Sequence, residues 1–249
     1  MLWNSLSWLR SILFTIPIIS LYTIVMGSLS LTGSLFERQG RFQHACARIW
    51  SRLILATSFV KVTVEGLEKI DLTKPCVFCS NHLSYMDTPV VFGFLPFQFR
   101  IVAKKSLFAI PFMGWHLQRA GHLPGDQRNP REAVRSLAKA RERIRQGTSI
   151  ILFPEGGRSP DGTLQPFLSG SFRLALETRV PVVPMVIVGT REVLAPNSLN
   201  IHSGRVRLIL DDPISTEQMS KKDKDLLAEK VRQAIRGMLQ RASGSNESE

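Results

Sequence analysis

The sequence predicts an α/β protein: a single domain with a mixed, mostly parallel sheet flanked by helices, preceded by an N-terminal membrane-associated helical segment. Short apolar runs typical of buried strands alternate with helical patterns, as they do where helices connect parallel strands. With 249 residues, 44% hydrophobic and 21% charged, the chain is long and apolar enough to bury one good core. We therefore predict one domain with appendages rather than two domains.

The N-terminal segment is an uncharged run over residues 11–36, between Arg10 and Glu37. As one helix it would measure roughly 39 Å, which exceeds the ~30 Å hydrocarbon core of a bilayer. Proline and glycine interrupt it, so three interpretations stay open: a single tilted span, a broken helix pair that dips into one leaflet, or a cleaved signal peptide. Basic residues are more numerous after the run than before it, which favours a cytoplasmic domain. We expect attachment to the cytoplasmic face of the cell membrane through residues 11–36.

The other elements are predicted from hydrophobic periodicity and from proline and glycine signals. Pro184 places its strand at an edge or beside a bulge. The chain is divided into an anchoring segment (1–40), a folded domain (41–242) and a disordered tail (243–249). Predicted helices cover 41–58, a stretch beginning at Asp87 with Pro89 in its first turn, 106–117 around Pro111, 130–145, 170–178 and 220–241; predicted strands cover 60–64, 76–79, 99–102, 149–153, 180–188 and 205–210.

Three cysteines, Cys46, Cys76 and Cys79, indicate a reducing compartment, because an odd and small number does not build a disulfide framework. Cys76 and Cys79 form a C-x-x-C pattern, but positions three apart on a strand point to opposite faces of the sheet. No second pair of ligands accompanies them in the sequence. We therefore predict buried thiols and no metal site.

The formal net charge of +12 predicts attraction to anions such as lipid headgroups, phosphorylated metabolites or nucleic acid. The excess is concentrated in residues 100–145, where helix 130–145 also has the pattern of a solvated basic face. The sequence has no recognisable nucleic-acid module, and its basic residues lack interleaved aromatic side chains. Nucleic acid is therefore not among the predicted partners.

Two loops that follow predicted strands carry residues able to do chemistry. His82 follows strand 76–79 and can accept a proton near neutral pH, while Asp87, five residues on, can hold its imidazole in one tautomer. Asp87 is equally well placed to cap a helix. After strand 149–153 come Glu155, Gly156, Gly157 and Arg158, where glycines let backbone N–H groups approach an anion and the arginine can grip it. The two loops together predict a general base beside a phosphate-binding site.

Four blocks of the sequence resemble the glycerolipid acyltransferases, most closely the bacterial 1-acylglycerol-3-phosphate acyltransferases. Asn81, His82 and Asp87 match the N-H-x-x-x-x-D block, and the stretch 153–159 (FPEGGRS) is similar to F-P-E-G-T-R-S. The stretch 103–115 resembles the second block, and 180–184 (VPVVP) resembles the proline-containing fourth block. The blocks occur in order over residues 81–184, which makes the set specific although a lone H-x-x-x-x-D is not.

The resemblance implies that residues 41–242 form an acyltransferase domain and that transfer is direct. His82 would take the proton of the sn-2 hydroxyl of lysophosphatidic acid, supported by Asp87, and the alkoxide would attack the thioester of acyl-CoA or acyl carrier protein. No cofactor is implied beyond that co-substrate, and membrane lipid is the remaining partner. The product would be phosphatidic acid, an intermediate of phospholipid biosynthesis.

The resemblance also assigns roles around this pair. The acceptor phosphate would be held by Arg158 and by a basic residue of the second block, with Glu155 positioning the glycerol. The family's threonine is Gly157 here, and its second-block arginine comes one residue late, at Arg128. These two departures from the family's pattern concern the identity of the acceptor more than the type of reaction. The remaining phosphate-binding residues implied by the resemblance are Lys105, Arg128, Gly156 and Gly157. The acyl-binding region would be shaped by Val180, Pro181 and Pro184.

Other functions stay open from the sequence. Within the enzyme class, the acceptor could be another lysophospholipid or another hydroxylated lipid. A hydrolase would need a nucleophilic serine, and Ser84 lies between His82 and Asp87, but there is no G-x-S-x-G elbow. A non-catalytic, basic membrane-binding protein would also fit the charge. Such a protein would tolerate loss of His82.

Overall fold

The computed structural model describes residues 2–37, 39–125 and 130–244, without the side chains of 2–5 and 130. Within these residues seven strands form one sheet in the order β1-β7-β6-β2-β5-β3-β4. The strands are β1 (Val60–Glu65), β2 (Val77–Ser80), β3 (Phe99–Lys104), β4 (Leu123–Gly125), β5 (Ser149–Leu152), β6 (Val182–Val188) and β7 (Gly204–Leu210).

Five neighbouring strands, β6, β2, β5, β3 and β4, run parallel, whereas β7 is antiparallel to β6 and parallel to β1. The predicted fold class is therefore confirmed. The short strand β4 was not predicted, because three residues carry too little periodicity to be recognised. The helices are α1 (Leu2–Arg10), α2 (Ile16–Gly33), α3 (Arg41–Thr57), α4 (Asp87–Phe94), α5 (Met113–Arg119), α6 (Pro130–Arg145), α7 (Arg173–Thr178), α8 (Thr190–Val193) and α9 (Lys224–Gly244).

Two hydrophobic clusters cover the two faces of the sheet. One contains side chains of α3 and α4, and the other contains side chains of α6, α7 and α9. Cys76 belongs to the first cluster and Cys79 to the second, and both thiols are buried. Burial raises the pKa of Cys76 to about 11, so the structure agrees with the prediction of inert thiols on opposite faces.

Pro184 lies in β6, an inner strand, so the predicted edge position is wrong. The alternative, a bulge, is correct. β7 pairs with β6 from Met185↔Leu210 onward, and the segment just after β7 pairs with β6 again at Val182↔Ile214. Between these two pairs, two residues of β6 (183 and 184) lie opposite three residues (211–213), which is the bulge. The missing N–H of Pro184 therefore falls where the β7 ladder is already interrupted.

The N-terminal segment is one helical rod, in which the π-helical turn Ser11–Thr15 joins α1 to α2. Pro17 follows this π-helical turn directly, where the i→i−4 hydrogen-bond pattern of an α-helix is already interrupted. Gly27 allows close contact, because a Cβ there would lie 2.9 Å from the Cβ of Phe112. The stretch Leu6–Gly33 is long and apolar enough to cross a membrane by length and composition.

This rod lies along the domain rather than apart from it. Arg10 donates to the carbonyl of Ile201 at 2.6 Å, and Trp50 of α3 donates to Thr23 of α2 at 3.0 Å. The opposite side of the rod is apolar and exposed. At the other end of the chain, α9 extends to Gly244, two residues into the predicted tail, and residues 245–249 lie outside the described part. Exposed apolar side chains of the rod are Leu6, Trp8, Leu9, Leu13, Phe14, Leu21, Ile24, Val25 and Leu29.

Candidate active site

The parallel strands bring most predicted site residues to one edge of the sheet, here called the carboxyl edge. β2 ends just before His82, β5 before Glu155 and β3 before Lys105. β6 ends before Thr190, which starts α8. Because β2 lies between β5 and β6, His82 is flanked by loops from both neighbours, as in other open α/β sheets.

His82 and Asp87 form the predicted pair. His82 Nδ1 and Asp87 Oδ2 are 2.7 Å apart. The same oxygen accepts the backbone N–H groups of Leu83 at 2.7 Å and Ser84 at 2.9 Å. A carboxylate only accepts, so Nδ1 of the imidazole carries the proton and Nε2 is left as the acceptor. This is the tautomer that a general base requires.

The Asp87 carboxylate is fully buried and held at both oxygens. Oδ1 accepts a hydrogen bond from the hydroxyl of Thr190 at 2.5 Å, in addition to the three donors at Oδ2. Asp87 is the first residue of α4, and Met86 is the N-cap. Its carboxylate accepts from the loop before the helix, so helix capping does not account for its position.

The imidazole of His82 stacks on the ring of Phe153, with centroids 4.2 Å apart. Its side chain is 19% exposed, so it is ordered by packing and still reachable. Its backbone N–H donates to Glu155 Oε1 at 2.6 Å, and its carbonyl accepts from the N–H of Ser159 at 2.8 Å. The loops after β2 and β5 are thus fastened to each other at His82.

Glu155 braces these loops with both oxygens. Oε1 accepts from the backbone of His82, and Oε2 accepts from the backbone of Gln165 at 2.8 Å. Burial raises the pKa of Glu155, while the two N–H donors lower it. Glu155 therefore fixes the His82 backbone, and its predicted role in positioning the glycerol stays a prediction, since each carboxylate oxygen can accept a further hydrogen bond.

Arg158 lies against Tyr85 on the outer side of the site. Its guanidinium carbon is 3.5 Å from the centre of the Tyr85 ring, a cation–π contact. In the part of the chain that the structure describes, no carboxylate lies within ion-pair distance of it. Arg158 is partly exposed, so its charge is available to an anion at this edge.

The two glycines of this loop differ. Gly156 has φ +76°, in the left-handed region, and its N–H donates to the carbonyl of Phe153 at 3.0 Å. A Cβ added to Gly157 would meet nothing within 4 Å. The turn therefore needs glycine at 156 but has room for a threonine at 157, and this chain lacks only that side chain's hydroxyl.

Lys105 begins a 3₁₀ helix (Lys105–Ala109) directly after β3. Its Nζ forms an ion pair with Glu132 Oε1 of α6 at 2.5 Å. The lysine is at the carboxyl edge, two strands from β2, with its charge engaged by a carboxylate. Arg128, the other predicted basic residue of this block, lies outside the described residues.

The fourth block does not join the site. Val180 and Pro181 precede β6, and the carbonyl of Pro181 accepts from Val77, the first residue of β2. They lie at the amino end of the parallel strands, opposite His82, and Pro184 is buried within β6. The block therefore lies at the end of the sheet opposite His82, and its predicted role in the acyl-binding region stays a prediction.

Ser84 is not available as a nucleophile. It is fully buried, its hydroxyl donates to the carbonyl of Leu194 at 2.6 Å, and it accepts from the N–H of Met86 at 3.0 Å. Its hydroxyl hydrogen is committed away from His82, whose Nε2 it does not contact. Ser84 shapes the loop between the base and its carboxylate, which removes the main support for a hydrolase.

Thr190, Tyr85 and Gln165 are site residues that the sequence did not reveal. Thr190 follows Gly189 at the end of β6. Had the parallel pairing of β6 with β2 been known, this position would have indicated that Thr190 lies near His82. Tyr85 lies inside the H-x-x-x-x-D spacing, at one of the positions that this pattern leaves unspecified. Gln165 contributes only its backbone N–H, so no side-chain pattern marks it.

A family model described as Acyltransferase matches residues 61–188, slightly more than half of the chain. The chain belongs to this acyltransferase family, and the matched region contains the His82–Asp87 pair and the 153–159 loop.

Its relatives and a solved structure make the resemblance more specific. The chloroplastic 1-acyl-sn-glycerol-3-phosphate acyltransferase of Brassica napus is 35% identical over 92% of this chain and 66% of its own. That of Saccharomyces cerevisiae is 30% identical over 91% of this chain and 75% of its own. A chloroplastic enzyme of Arabidopsis thaliana with the same description is 35% identical over 70% of this chain and 49% of its own. The chain thus spans from about half to three quarters of these relatives.

The crystal structure of a 1-acyl-sn-glycerophosphate acyltransferase from Thermotoga maritima has a TM-score of 0.83 to this chain. Sequence identity is 26%, and the match covers 96% of this chain and 98% of the other. The similarity extends over both the N-terminal rod and the α/β domain, because so little of either chain is left out.

Proposed function

We propose that this protein transfers an acyl chain from acyl-CoA or acyl carrier protein to the sn-2 hydroxyl of 1-acylglycerol-3-phosphate, which gives phosphatidic acid. The observation that carries the proposal is the His82–Asp87 pair, which leaves Nε2 as a proton acceptor at the carboxyl edge. The relatives named for this reaction support the choice of substrate.

In the proposed reaction, His82 Nε2 removes the proton of the acceptor hydroxyl as the hydroxyl oxygen attacks the thioester carbonyl. The C–O bond of the new ester forms and the C–S bond breaks. The proton passes from the imidazolium to the thiolate that leaves. Asp87 stabilises the imidazolium charge during this sequence, and Thr190 and the Leu83 and Ser84 N–H groups keep Asp87 in place. A thioester is already activated, so this chemistry asks for no metal.

The phosphate of the acceptor is proposed to bind at Arg158. The guanidinium is partly exposed beside Tyr85, and the adjoining Gly157 borders open space that an anion can enter. Lys105 contributes positive potential from the next strand but more weakly, because Glu132 neutralises it. Glu155 acts indirectly, through the backbone of His82.

Membrane attachment is proposed through the N-terminal rod at the cytoplasmic face. One side of the rod is hydrogen-bonded to the domain, and the other is an exposed apolar surface. A rod held along the domain favours an orientation in which lipid meets only its outer side. Lysophosphatidic acid, an anionic amphiphile, would then enter from the bilayer.

A second acceptor class, another lysophospholipid, is favoured by one observation: Gly157 leaves open space where the family has a threonine. A larger headgroup would fit beside Arg158 in that space. The two candidates differ in the charge on phosphate, since a monoester carries about one negative charge more than a diester at neutral pH.

The experiment compares the two acceptors directly. Free thiol release from acyl-CoA is measured with lysophosphatidic acid and with lysophosphatidylcholine, for the native protein and for Arg158→Ala. We expect turnover with lysophosphatidic acid and a KM for it that rises about tenfold in the variant with little change in kcat, because phosphate binds in ground and transition states alike. Turnover with lysophosphatidylcholine alone would contradict the assigned acceptor, and no thiol release with any lipid hydroxyl and any donor would contradict transferase activity.

A further inference from the structure

A cavity of about 750 Å³ lies between α6 and the segment from Lys105 to β4, beside the active site. It begins at Lys105 and Glu132, at the carboxyl edge, and extends along α6 to Gln146. Its walls combine apolar side chains with basic ones, and Lys105 at its mouth is the one lining residue with a role in the proposed acceptor site. The lining includes Phe108, Leu123, Pro124, Arg135, Lys139 and Arg143.

The charge in this cavity is strongly positive. Arg135, Lys139 and Arg143 follow one another at four-residue spacing on one face of α6. Such like charges repel, which destabilises a helix without a counter-charge. In the described part of the chain, neither Arg135 nor Lys139 has a carboxylate within ion-pair distance, and Arg143 donates to the amide of Gln146. This arrangement suits an anion with more than one phosphate.

The carboxylates in the lining do not cancel this charge. Glu132 is paired with Lys105 at 2.5 Å, and Glu142 has Arg145 at 4.0 Å. Each is matched by a positive group of its own. Three positive side chains of α6 therefore remain for a ligand.

The position of the cavity selects which substrate it can hold. β2 and β3 are two strand spacings apart, so Lys105 is on the order of 10 Å across the sheet from the His82 strand. From Arg135 to Arg143 the helix rises about 12 Å further from the carboxyl edge. The ligand must therefore have its phosphates far from its reacting carbon. The acceptor does not, because its phosphate is only a few bonds from the sn-2 hydroxyl.

We propose that this cavity binds the 3′-phospho-ADP end of acyl-CoA, with the pantetheine arm reaching along the carboxyl edge to His82. Arg135, Lys139 and Arg143 face the diphosphate and the 3′-phosphate, and the half-buried Phe108 and Pro124 give an apolar wall for the adenine. The inference rests on the proposed function, because it requires a thioester donor at His82. It assigns coenzyme A rather than an acyl carrier protein, since a protein-borne pantetheine has one phosphate and no nucleotide to fill a cavity.

The test removes two of these charges, as Arg135→Ala with Lys139→Ala. Both side chains are exposed, so the fold should persist, which thermal unfolding verifies. The control variant, Lys230→Ala with Arg236→Ala, removes one lysine and one arginine from the exposed surface of α9. Initial rates are measured with oleoyl-CoA and with oleoyl-pantetheine, which has no phosphate. Binding of free CoA and of dephospho-CoA is measured by calorimetry.

We expect the KM for oleoyl-CoA and the Kd of CoA to rise at least tenfold in the α6 variant and less than twofold in the control. The KM for oleoyl-pantetheine and for lysophosphatidic acid should stay unchanged, and native protein should bind CoA more tightly than dephospho-CoA. Equal losses with both donors, or a rise in the lysophosphatidic acid KM alone, would overturn the inference. Native turnover only with acyl carrier protein would overturn it too, and would leave the proposed function standing.

Discussion

His82 and the three histidines beneath the N-terminal rod have the same side chain in different chemical environments. His82 has a carboxylate at 2.7 Å and is partly exposed. His44, His116 and His122 lie together with Arg100 between α3, α5 and β3; His44, His122 and Arg100 are buried, and His116 is half-buried. Within the described residues no carboxylate forms an ion pair with any of the four. Two regions of one domain thus give the imidazole different surroundings, with a carboxylate partner at His82 and none in the histidine cluster.

The buried histidines are kept neutral. Burial, with a smaller contribution from neighbouring arginines, lowers the pKa of His44 and of His116 to about 4. The same causes lower the pKa of His122, whose Nδ1 accepts from the N–H of Ile101 at 3.1 Å. His116 Nδ1 lies 2.6 Å from the hydroxyl of Ser30 in α2. His44 packs against Phe92 and Phe99, His122 hydrogen-bonds within the domain, and His116 links the domain to the rod.

The difference between the two regions lies in the partner of the imidazole and not in the residue type. Asp87, held by Thr190 and by two backbone N–H groups, gives His82 one tautomer and supports its positive form. The buried cluster lacks that carboxylate, so protonation there is penalised without compensation. The predictions below separate the two regions, in order of decreasing expected effect.

Asp87→Asn should reduce kcat about 10³-fold with lysophosphatidic acid. The amide can turn its oxygen toward the His82, Leu83 and Ser84 donors and its NH₂ toward Thr190, so the geometry is retained and only the negative charge is lost. Thermal unfolding should therefore change little. A variant that retains even a tenth of native kcat would show that His82 does not need the carboxylate.

Acidification should destabilise the fold through the buried histidines. The unfolded state protonates them near their usual pKa of about 6.5, and the folded state takes up these protons only near pH 4. The unfolded chain therefore binds more protons between these values, so their contribution to stability is present above pH 6.5 and is lost as pH falls. The expected loss is roughly 2 kcal/mol for each of His44 and His116 between pH 7 and pH 5.

Denaturant unfolding of the protein in detergent at the two pH values measures this loss. A variant with His44→Gln should show a smaller pH dependence than the native protein, although it is less stable at pH 7 because the ring packs against Phe92 and Phe99. Stability that is independent of pH over this range would contradict the neutral, buried state of the cluster.

Thr190→Val should lower kcat about tenfold, because the Asp87 Oδ1 loses the hydroxyl donor of Thr190. Thr190→Ser keeps the hydroxyl and should restore most of the activity. Since Thr190 acts through Asp87, the KM values should stay constant, and the acidic limb of the kcat–pH profile should move in the valine variant. An unchanged profile with a lowered melting temperature would indicate that Thr190 serves only packing.

Tyr85→Leu should raise the KM for lysophosphatidic acid about threefold and leave kcat intact. The tyrosine ring holds the Arg158 guanidinium by a partly exposed cation–π contact, which is worth about 0.5–1 kcal/mol. Tyr85→Phe keeps the ring and serves as the control. An equal effect in both variants would assign the loss to the hydroxyl instead.

The fold and the hydrogen-bonded pair of His82 and Asp87 could be predicted from the sequence, because buried parallel strands leave long apolar runs and because the two residues are five positions apart. The loop beginning at Glu155 could also be predicted, because it follows an apolar run that indicates a buried strand. What the sequence lacked was pairing information. Thr190 reaches Asp87 from 103 positions away, and a fourth block that resembles a family motif lies at the opposite end of the sheet.

Burial was also underestimated at Glu155 and in the N-terminal segment. Glu155 gives both oxygens to backbone donors, which no residue pattern shows. The apolar rod contains small and polar residues because Ser30, Thr23 and Gly27 contact the domain, whereas in the sequence they looked like interruptions of a membrane helix.

The most direct test of the account compares His82→Gln with His44→Gln under identical conditions, with kcat for acyl transfer and the free energy of unfolding measured for each. We predict that His82→Gln loses about 10³-fold or more in kcat and unfolds like the native protein, because only the base is removed. We predict that His44→Gln is destabilised and keeps near-native kcat per folded molecule. Near-native turnover by His82→Gln would contradict the central claim that His82 is the general base.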